Sequence, residues 1–373
     1  STPSGSATSK LVLQVLQMRS FAPLYSLLVH PRKVDSTSIW APGTVHRALG
    51  PSRLVIFCDA KHEGLWFRDL SPLLSDASFE TIGGRGTNPP IIEKLIYYDR
   101  PDIILLYDGE PVLVLEKTSE VPSGHNIGQR LGRMVRALEY EVPAIMFMPF
   151  DSMKHGKFSN VCHLNARVLD GYLRMWDIHS TPALAVNWPS DSDWELITDG
   201  SEDDGISAVV HDFIQSGFDW GCDEFFRHRA LMAEEFTRRV AAHGPYGRPP
   251  PSVKIVPTRV LAGMIRQRSG GTRSLPAKWA NRPETVVYTM GMTEQKCKRQ
   301  DPYTGMQFLY DYQHCRNGPD PGDKRRNLVL DFPKVSIRRW KEANPNNPRT
   351  KSVLWYATAN GFLLSDGLIE VRD

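Results

Sequence analysis

Apolar residues in this chain fall into short continuous runs divided by turn-forming residues, with stretches of helical periodicity between them. Residues 54–58, Leu-Val-Ile-Phe-Cys, form one unbroken run, the pattern of a strand buried on both faces. Residues 90–97 open on proline and continue with helix formers, which predicts a short helix carrying Glu93 and Lys94. Two more apolar runs, within 100–107 and 110–118, flank the step Asp108-Gly109, a strong signal for a two-residue hairpin. Residues 126–140 place Leu131, Met134, Val135 and Leu138 on one helical face, with Asn126 as N-cap. A strand at 142–148, a second amphipathic helix at 164–178, a strand at 183–186 and a helix near 208–215 follow. Upstream, residues 11–28 have the periodicity of one or two helices, behind a frayed polar start at 1–9. Beyond residue 252, strands are expected at 285–289, 308–315, 328–337 and 352–358, separated by Gly, Asn and Pro. Helices alternating with strands predict an α/β protein, and no internal repeat is present.

Length changes this picture by dividing it. At 373 residues the chain is long enough for two or three domains and needs no disulfide or metal to hold a core. The Pro-rich, basic passage 244–252 is the best linker candidate, and the charge balance divides the chain into residues 1–236 and 237–373. The most apolar N-terminal stretch, 11–29, is interrupted by Gln14, Gln17, Arg19 and Ser20 and is too short to span a bilayer. The start also lacks the features of a secretory signal, and a cytoplasmic protein is expected. The five cysteines, at 58, 162, 222, 297 and 315, include no Cys-x-x-Cys pair, which argues against a disulfide framework and a four-cysteine zinc site. Cys162-His163 and His314-Cys315 are adjacent pairs, poorly spaced for one zinc ion. His125 reads as a packed loop residue.

Charge divides the chain at the same place. Residues 237–373 hold 24 Lys+Arg against 11 Asp+Glu, whereas residues 1–236 hold 21 against 31. Residues 237–280 carry no acid at all, and their arginines include Arg266, Arg268 and Arg273. A basic stretch interleaved with Tyr246, Trp279 and glycine suits a surface that tracks the phosphates of a nucleic acid.

The chemistry concentrates in the hairpin. Counting back from a tip at Asp108-Gly109, Tyr107 faces Glu110 and Asp102 faces Leu115, so Glu116 falls within one residue of Asp102. Two carboxylates converging at one end of an apolar hairpin repel each other unless a cation sits between them, and Mg2+ takes carboxylate oxygens while keeping waters for a substrate; the alternative is that Asp102 caps the strand entrance and Glu116 pairs with an arginine. On the following helix, Gln129, Arg133 and Arg136 recur along one face, and guanidinium forks match phosphate oxygens.

Pro101-Asp102, then Glu116-Lys117-Thr118 after a hairpin, then a helix and a strand, resembles the core of the PD-(D/E)xK nuclease superfamily, which includes most type II restriction endonucleases. The resemblance covers some 60 residues. It implies a core of helix, three-stranded meander, helix and strand, and Mg2+-dependent hydrolysis of phosphodiesters. Asp102 and Glu116 would be metal ligands and Glu93 an auxiliary acid. The family's lysine lies two residues after the second acid, where this chain has Thr118, which can hold a water through its hydroxyl. Lys117 has the wrong strand parity to replace that lysine unless a bulge intervenes, so the role falls to a lysine from elsewhere, such as Lys94, or is absent. A rival motif is Asp59-Ala60-Lys61 at the end of the 54–58 strand, with the family's lysine spacing but no upstream Pro-Asp. The function expected is a sequence-specific endonuclease of double-stranded DNA, working as a homodimer on symmetric sites, with the basic C-terminal region reading DNA and Arg266, Arg268 or Arg273 reaching guanine edges. The alternatives are a DNA-binding protein without catalysis and a repair or transposition nuclease.

Overall fold

The computed structural model describes residues 54–84, 86–122, 124–156, 159–243, 252–297, 326–343 and 359–371. The expected helices within 11–28 and strands at 308–315 and 352–358, together with His314, Cys315 and most of the 244–252 linker, lie outside the described residues. All described residues belong to one compact unit, Gly50–Asp373.

The first sheet grows from the predicted runs. Strand β1 (Leu54–Cys58) leads into helix α1 (Lys61–Asp69) and strand β2 (Ser78–Thr81), and α2 (Pro90–Leu95) precedes the hairpin β3 (Ile103–Tyr107) and β4 (Glu110–Lys117). Then come α3 (Gly124–Glu139), β5 (Ala144–Met148), the short pair β6 (Asp151–Lys154) and β7 (Asn160–His163), α4 (Ala166–His179), β8 (Ala183–Asn187), α5 (Asp204–Gln215) and α6 (Asp223–His243). The sheet order is β2-β1-β3-β4-β5-β8. Strand β3 is antiparallel to both its neighbours, while β1 pairs parallel with β2 and β4, β5 and β8 run parallel. One edge of the sheet therefore collects the C-terminal ends of five strands and the start of β3, where Asp102 stands.

Burial explains the sequence of the central strands. All five residues of β5 are buried, as a strand covered on both faces requires. Trp66 of α1 stacks on Phe147 of β5 (ring centroids 5.7 Å apart), whereas Arg130 of α3 reaches Glu116 of β4. Phe147 pairs with Lys117, and Met146 with Glu116. Alternation then puts α1 and α3 on opposite faces of the sheet.

A second sheet, in the order β13-β12-β11-β10-β9, is formed by β9 (Ser252–Pro257), β10 (Glu284–Thr289), β11 (Asn327–Phe332), β12 (Gly361–Leu364) and β13 (Gly367–Glu370). Its three middle strands are parallel and its two outer strands antiparallel to their neighbours. Helices α7 (Thr258–Arg268), α8 (Ala277–Ala280), α9 (Glu294–Cys297) and α10 (Ile337–Ala343) accompany it. Leu261, Ile265, Trp279, Val329, Leu363 and Leu368 form its core. Gly361 is required there, because a Cβ at that position would lie 2.5 Å from the Trp279 ring.

Two expectations are corrected. The strand expected at 328–337 ends at Phe332, because Pro333 has no N–H to continue the ladder, and residues from Ile337 turn helical. The division after residue 236 cuts through α6, which continues to His243. Within the acid-free basic stretch, the residues from Ser252 on supply β9, α7 and α8. Among the described residues, no helix is long and apolar enough to cross a membrane.

Candidate active site

The hairpin turns as its sequence dictates and then departs from a simple register. Asp108 (φ 53°) and Gly109 (φ 83°) take the left-handed conformations of a type I′ turn, and Tyr107 pairs with Glu110. Leu106 pairs with Pro111 and Leu105 with Leu113, so Val112 is a bulge. Beyond it Ile103 faces Leu115 rather than Val114, which brings Glu116 opposite Asp102. The one-residue offset counted from the tip is thereby removed. The Asp102 N–H donates to Glu116 Oε2 (3.3 Å), and the Lys117 N–H donates to Asp102 Oδ2 (2.6 Å).

Both carboxylates are nearly closed off from solvent, Asp102 at 7% exposure and Glu116 at 1%. Two guanidinium groups from α3 meet Glu116 Oε1: Arg130 Nε at 2.9 Å, and Arg133 Nη1 in a short contact. Arg133 also donates to Asp99 (2.7 Å) and lies 3.7 Å from Asp102 Oδ1. Burial works against the Arg133 cation, but Glu116 and Asp99 outweigh it and hold the guanidinium firmly charged. Burial pushes the Asp102 carboxyl up to about 6, aided by the negative charge of Glu63 and opposed by Arg133. Burial likewise pushes Glu116 up to about 7, against the pull of Arg133 and Arg130. Burial thus outweighs the two arginines, and both carboxyls are shifted toward their protonated forms.

Glu63, in the first turn of α1, accepts the Ala60 N–H (3.0 Å), and its own carboxyl is raised, chiefly by burial. The rival motif occupies the same corner: the Asp59 N–H donates to the Asp102 carbonyl (2.9 Å), and Asp59 pairs with Arg100 (2.6 Å). The two motifs are therefore parts of one acidic edge, since Cys58 pairs with Ile103 across the antiparallel strands.

Lys117 points to the opposite face, as its parity requires. Its Nζ sits 3.8 Å from the Trp66 ring centroid and 4.5 Å from that of Trp188. Burial lowers its ammonium, while Asp203, Glu63 and Asp102 oppose that. Thr118 is buried, and its hydroxyl oxygen accepts the Glu120 N–H (3.2 Å).

Other expected residues are placed elsewhere. Glu93 Oε1 accepts from the N–H groups of Gly86 and Asn88 and from the Asn88 side chain, which ties it to the loop before α2. Lys94 is exposed, and its carbonyl accepts Arg136 Nε (2.7 Å). Arg136 is packed among Tyr97, Tyr98 and Tyr140, so the expected arginine row splits, Arg133 facing the acids and Arg136 facing the tyrosines. The side chains of His125, Asn126 and Gln129 lie outside the described residues. Arg266 and Arg273 are exposed, whereas Arg268 is bound to Asp331 (3.1 Å) and to the Leu364 carbonyl (3.1 Å). It cannot reach a base edge without breaking that pair. Sequence reading missed Arg130, one position from Gln129, and Glu63, whose signal was its place one turn beyond the 54–58 strand.

The donor set at this edge is all oxygen and anionic, which suits a hard divalent cation, and Mg2+ is commonly held by only one or two carboxylates. Asp102 and Glu116 are the residues that could hold one. Among the described residues no group of three or more His, Cys, Asp or Glu is gathered as a metal site. No family model, curated protein or solved structure matches this chain.

Proposed function

We propose that the protein is a Mg2+-dependent endonuclease of double-stranded DNA, built on a core resembling the PD-(D/E)xK nucleases. The observation that carries the reading is the pair Asp102 and Glu116, set opposite each other at the sheet edge by the bulge at Val112. Supporting it, β1, β3 and β4 form an antiparallel trio, and α3 then leads to β5, parallel to β4. In this chain α1, β2 and α2 are inserted between the first and second strands of that trio. Bound Mg2+ would supply charge neutralisation and a more acidic water. Asp102 and Glu116 would hold the ion, and Arg130 and Arg133, which bind Glu116, would donate to the oxygens of the scissile phosphate, whose charge they match. The exposed Arg266 and Arg273 contact DNA, and a twofold dimer places two such sites on a symmetric sequence.

Supercoiled plasmid incubated with and without Mg2+ tests the reading: nicking or linearisation should need the ion and vanish in Asp102→Ala and Glu116→Ala. Both variants should still bind DNA in Ca2+, since removing a carboxylate removes repulsion of the phosphates. Near-normal cutting by either variant rejects the site. A second reading, a DNA-binding protein without catalysis, is favoured by the two guanidinium groups already bound to Glu116. Mg2+-independent binding with no cutting of plasmid or of a long DNA would select it. Fragments of discrete size separate a restriction-type enzyme from a repair or transposition nuclease.

A further inference from the structure

We infer that Tyr97, Arg136 and Tyr140, beside the candidate active site, form a stacking site for an unpaired nucleobase; this rests on the nucleic-acid reading above. The Arg136 guanidinium carbon lies 5.1 Å from the ring centroids of Tyr97 and Tyr98 and 4.5 Å from that of Tyr140. Its orientation is fixed by three donations: Nε to the Lys94 carbonyl (2.7 Å), Nη1 to Glu139 (3.1 Å) and Nη2 to the Tyr140 hydroxyl (3.1 Å). An arginine has five N–H groups, so the fork retains donors for a phosphate.

The three tyrosines differ in a way that packing alone does not explain. Tyr98 behaves as a structural ring, 7% exposed with its hydroxyl bonded to Glu139 (2.7 Å). Tyr97 and Tyr140 contact the same guanidinium yet remain 39% and 37% exposed. Large aromatic surface held rigid next to a cation is what proteins use to stack bases of single strands, irrespective of sequence. Its place also fits, because Tyr97 lies five residues before Asp102 and Arg136 one turn after Arg133, which touches Glu116. A strand whose phosphate sits at the acids would bring a flanking base, freed from its partner, to these rings.

The experiment compares fluorescence anisotropy of a short labelled thymidine oligonucleotide with that of an abasic strand of the same length, in EDTA so that nothing is cut. Wild-type protein should prefer the base-bearing strand by about tenfold, the scale of one stacked base. Tyr97→Ala/Tyr140→Ala should lose that preference by weakening only the base-bearing strand, and Tyr97→Phe/Tyr140→Phe should keep it. Tyr97→Leu alone, which leaves the Tyr140 bond to Arg136 intact, should lose a large part of it and serves if the double variant does not fold. An equal loss for both strands, an unchanged preference in the alanine and leucine variants, or no preference in the wild type would overturn the inference. Base preference without plasmid cutting would sink the nuclease reading and leave this one standing; cutting without base preference would do the reverse.

Discussion

Glu116 shows how much a single side chain can depend on its neighbours. At 1% exposure its charge has no water to fall back on, and two guanidinium groups substitute for it. Breaking a buried pair by removing one partner costs about 3–5 kcal/mol, because the remaining charge is stranded. Arg133→Met should therefore lose stability on that scale in urea unfolding, and Glu116→Gln added to it should restore a large part. The pH dependence follows from the raised carboxyls. Asp102 and Glu116, pushed up to about 6 and about 7, keep protons in the folded state that the unfolded chain has released. Their contribution to stability is present in full below the unfolded value of about 4 and is lost as pH rises through about 6 and 7. In metal-free protein the urea midpoint should fall across that window, and Asp102→Asn/Glu116→Gln should flatten the fall. A cation favours the ionised acids, so Mg2+ added near neutral pH should release protons into weak buffer, and much less in the double variant.

Among the elements, the hairpin and α6 illustrate different sources of order. The β3–β4 turn was legible because Asp108 and Gly109 favour left-handed backbone whatever surrounds them. The Val112 bulge was marked only by Pro111 beside it, which has no N–H to give to the ladder, and the pairing of β4 with β3 shows where the register shifts. Helix α6 is held to the sheet side through Arg239, which is 2% exposed and donates to Asp151 (2.6 Å), to Glu235 and to the Leu164 carbonyl (2.9 Å). Arg239→Met should cost about 3–5 kcal/mol by stranding these acceptors. Its neighbour Arg238 pairs with the same Glu235 but is 64% exposed, so Arg238→Ala should change stability by no more than about 0.5 kcal/mol. Equal thermal shifts in the two variants would contradict the difference drawn between them.

Over the whole molecule, charge and packing make separate demands on the C-terminal region. It holds 24 basic against 11 acidic residues, and on the proposed DNA-cleaving function each phosphate contact would contribute about −0.9 to the slope of log affinity against log salt. Neutralising the exposed Arg266 and Arg273 should flatten that slope by about two units if both contact phosphates. Adding Arg268→Ala should instead lower stability, because it strands the buried Asp331. The second sheet must also keep its own core. Gly361→Ala forces a methyl group against Trp279 and the Ile369 carbonyl, and a loss of about 1–3 kcal/mol is expected. Its thermal midpoint would show this directly.

Local interactions account for what could be read before folding: apolar runs became β1, β3, β5 and β8, helical spacing buried Leu131, Met134, Val135 and Leu138 of α3, and the Asp-Gly step became a turn. Such signals act between residues a few positions apart, so they are written in the order of the chain. Contacts between distant segments decided the rest. The phase of α3 against the sheet chose Arg130 beside Arg133 and turned Arg136 toward the tyrosines, a difference of one residue that rotates a side chain by about 100°. Glu63 and Asp59 joined Asp102 only because β1 pairs with β3, an encounter of distant segments that sets Asp59 against Arg100, 41 positions along the chain. Lys117 was withdrawn into the Trp66 and Trp188 rings because strand alternation sends it to the face away from Glu116.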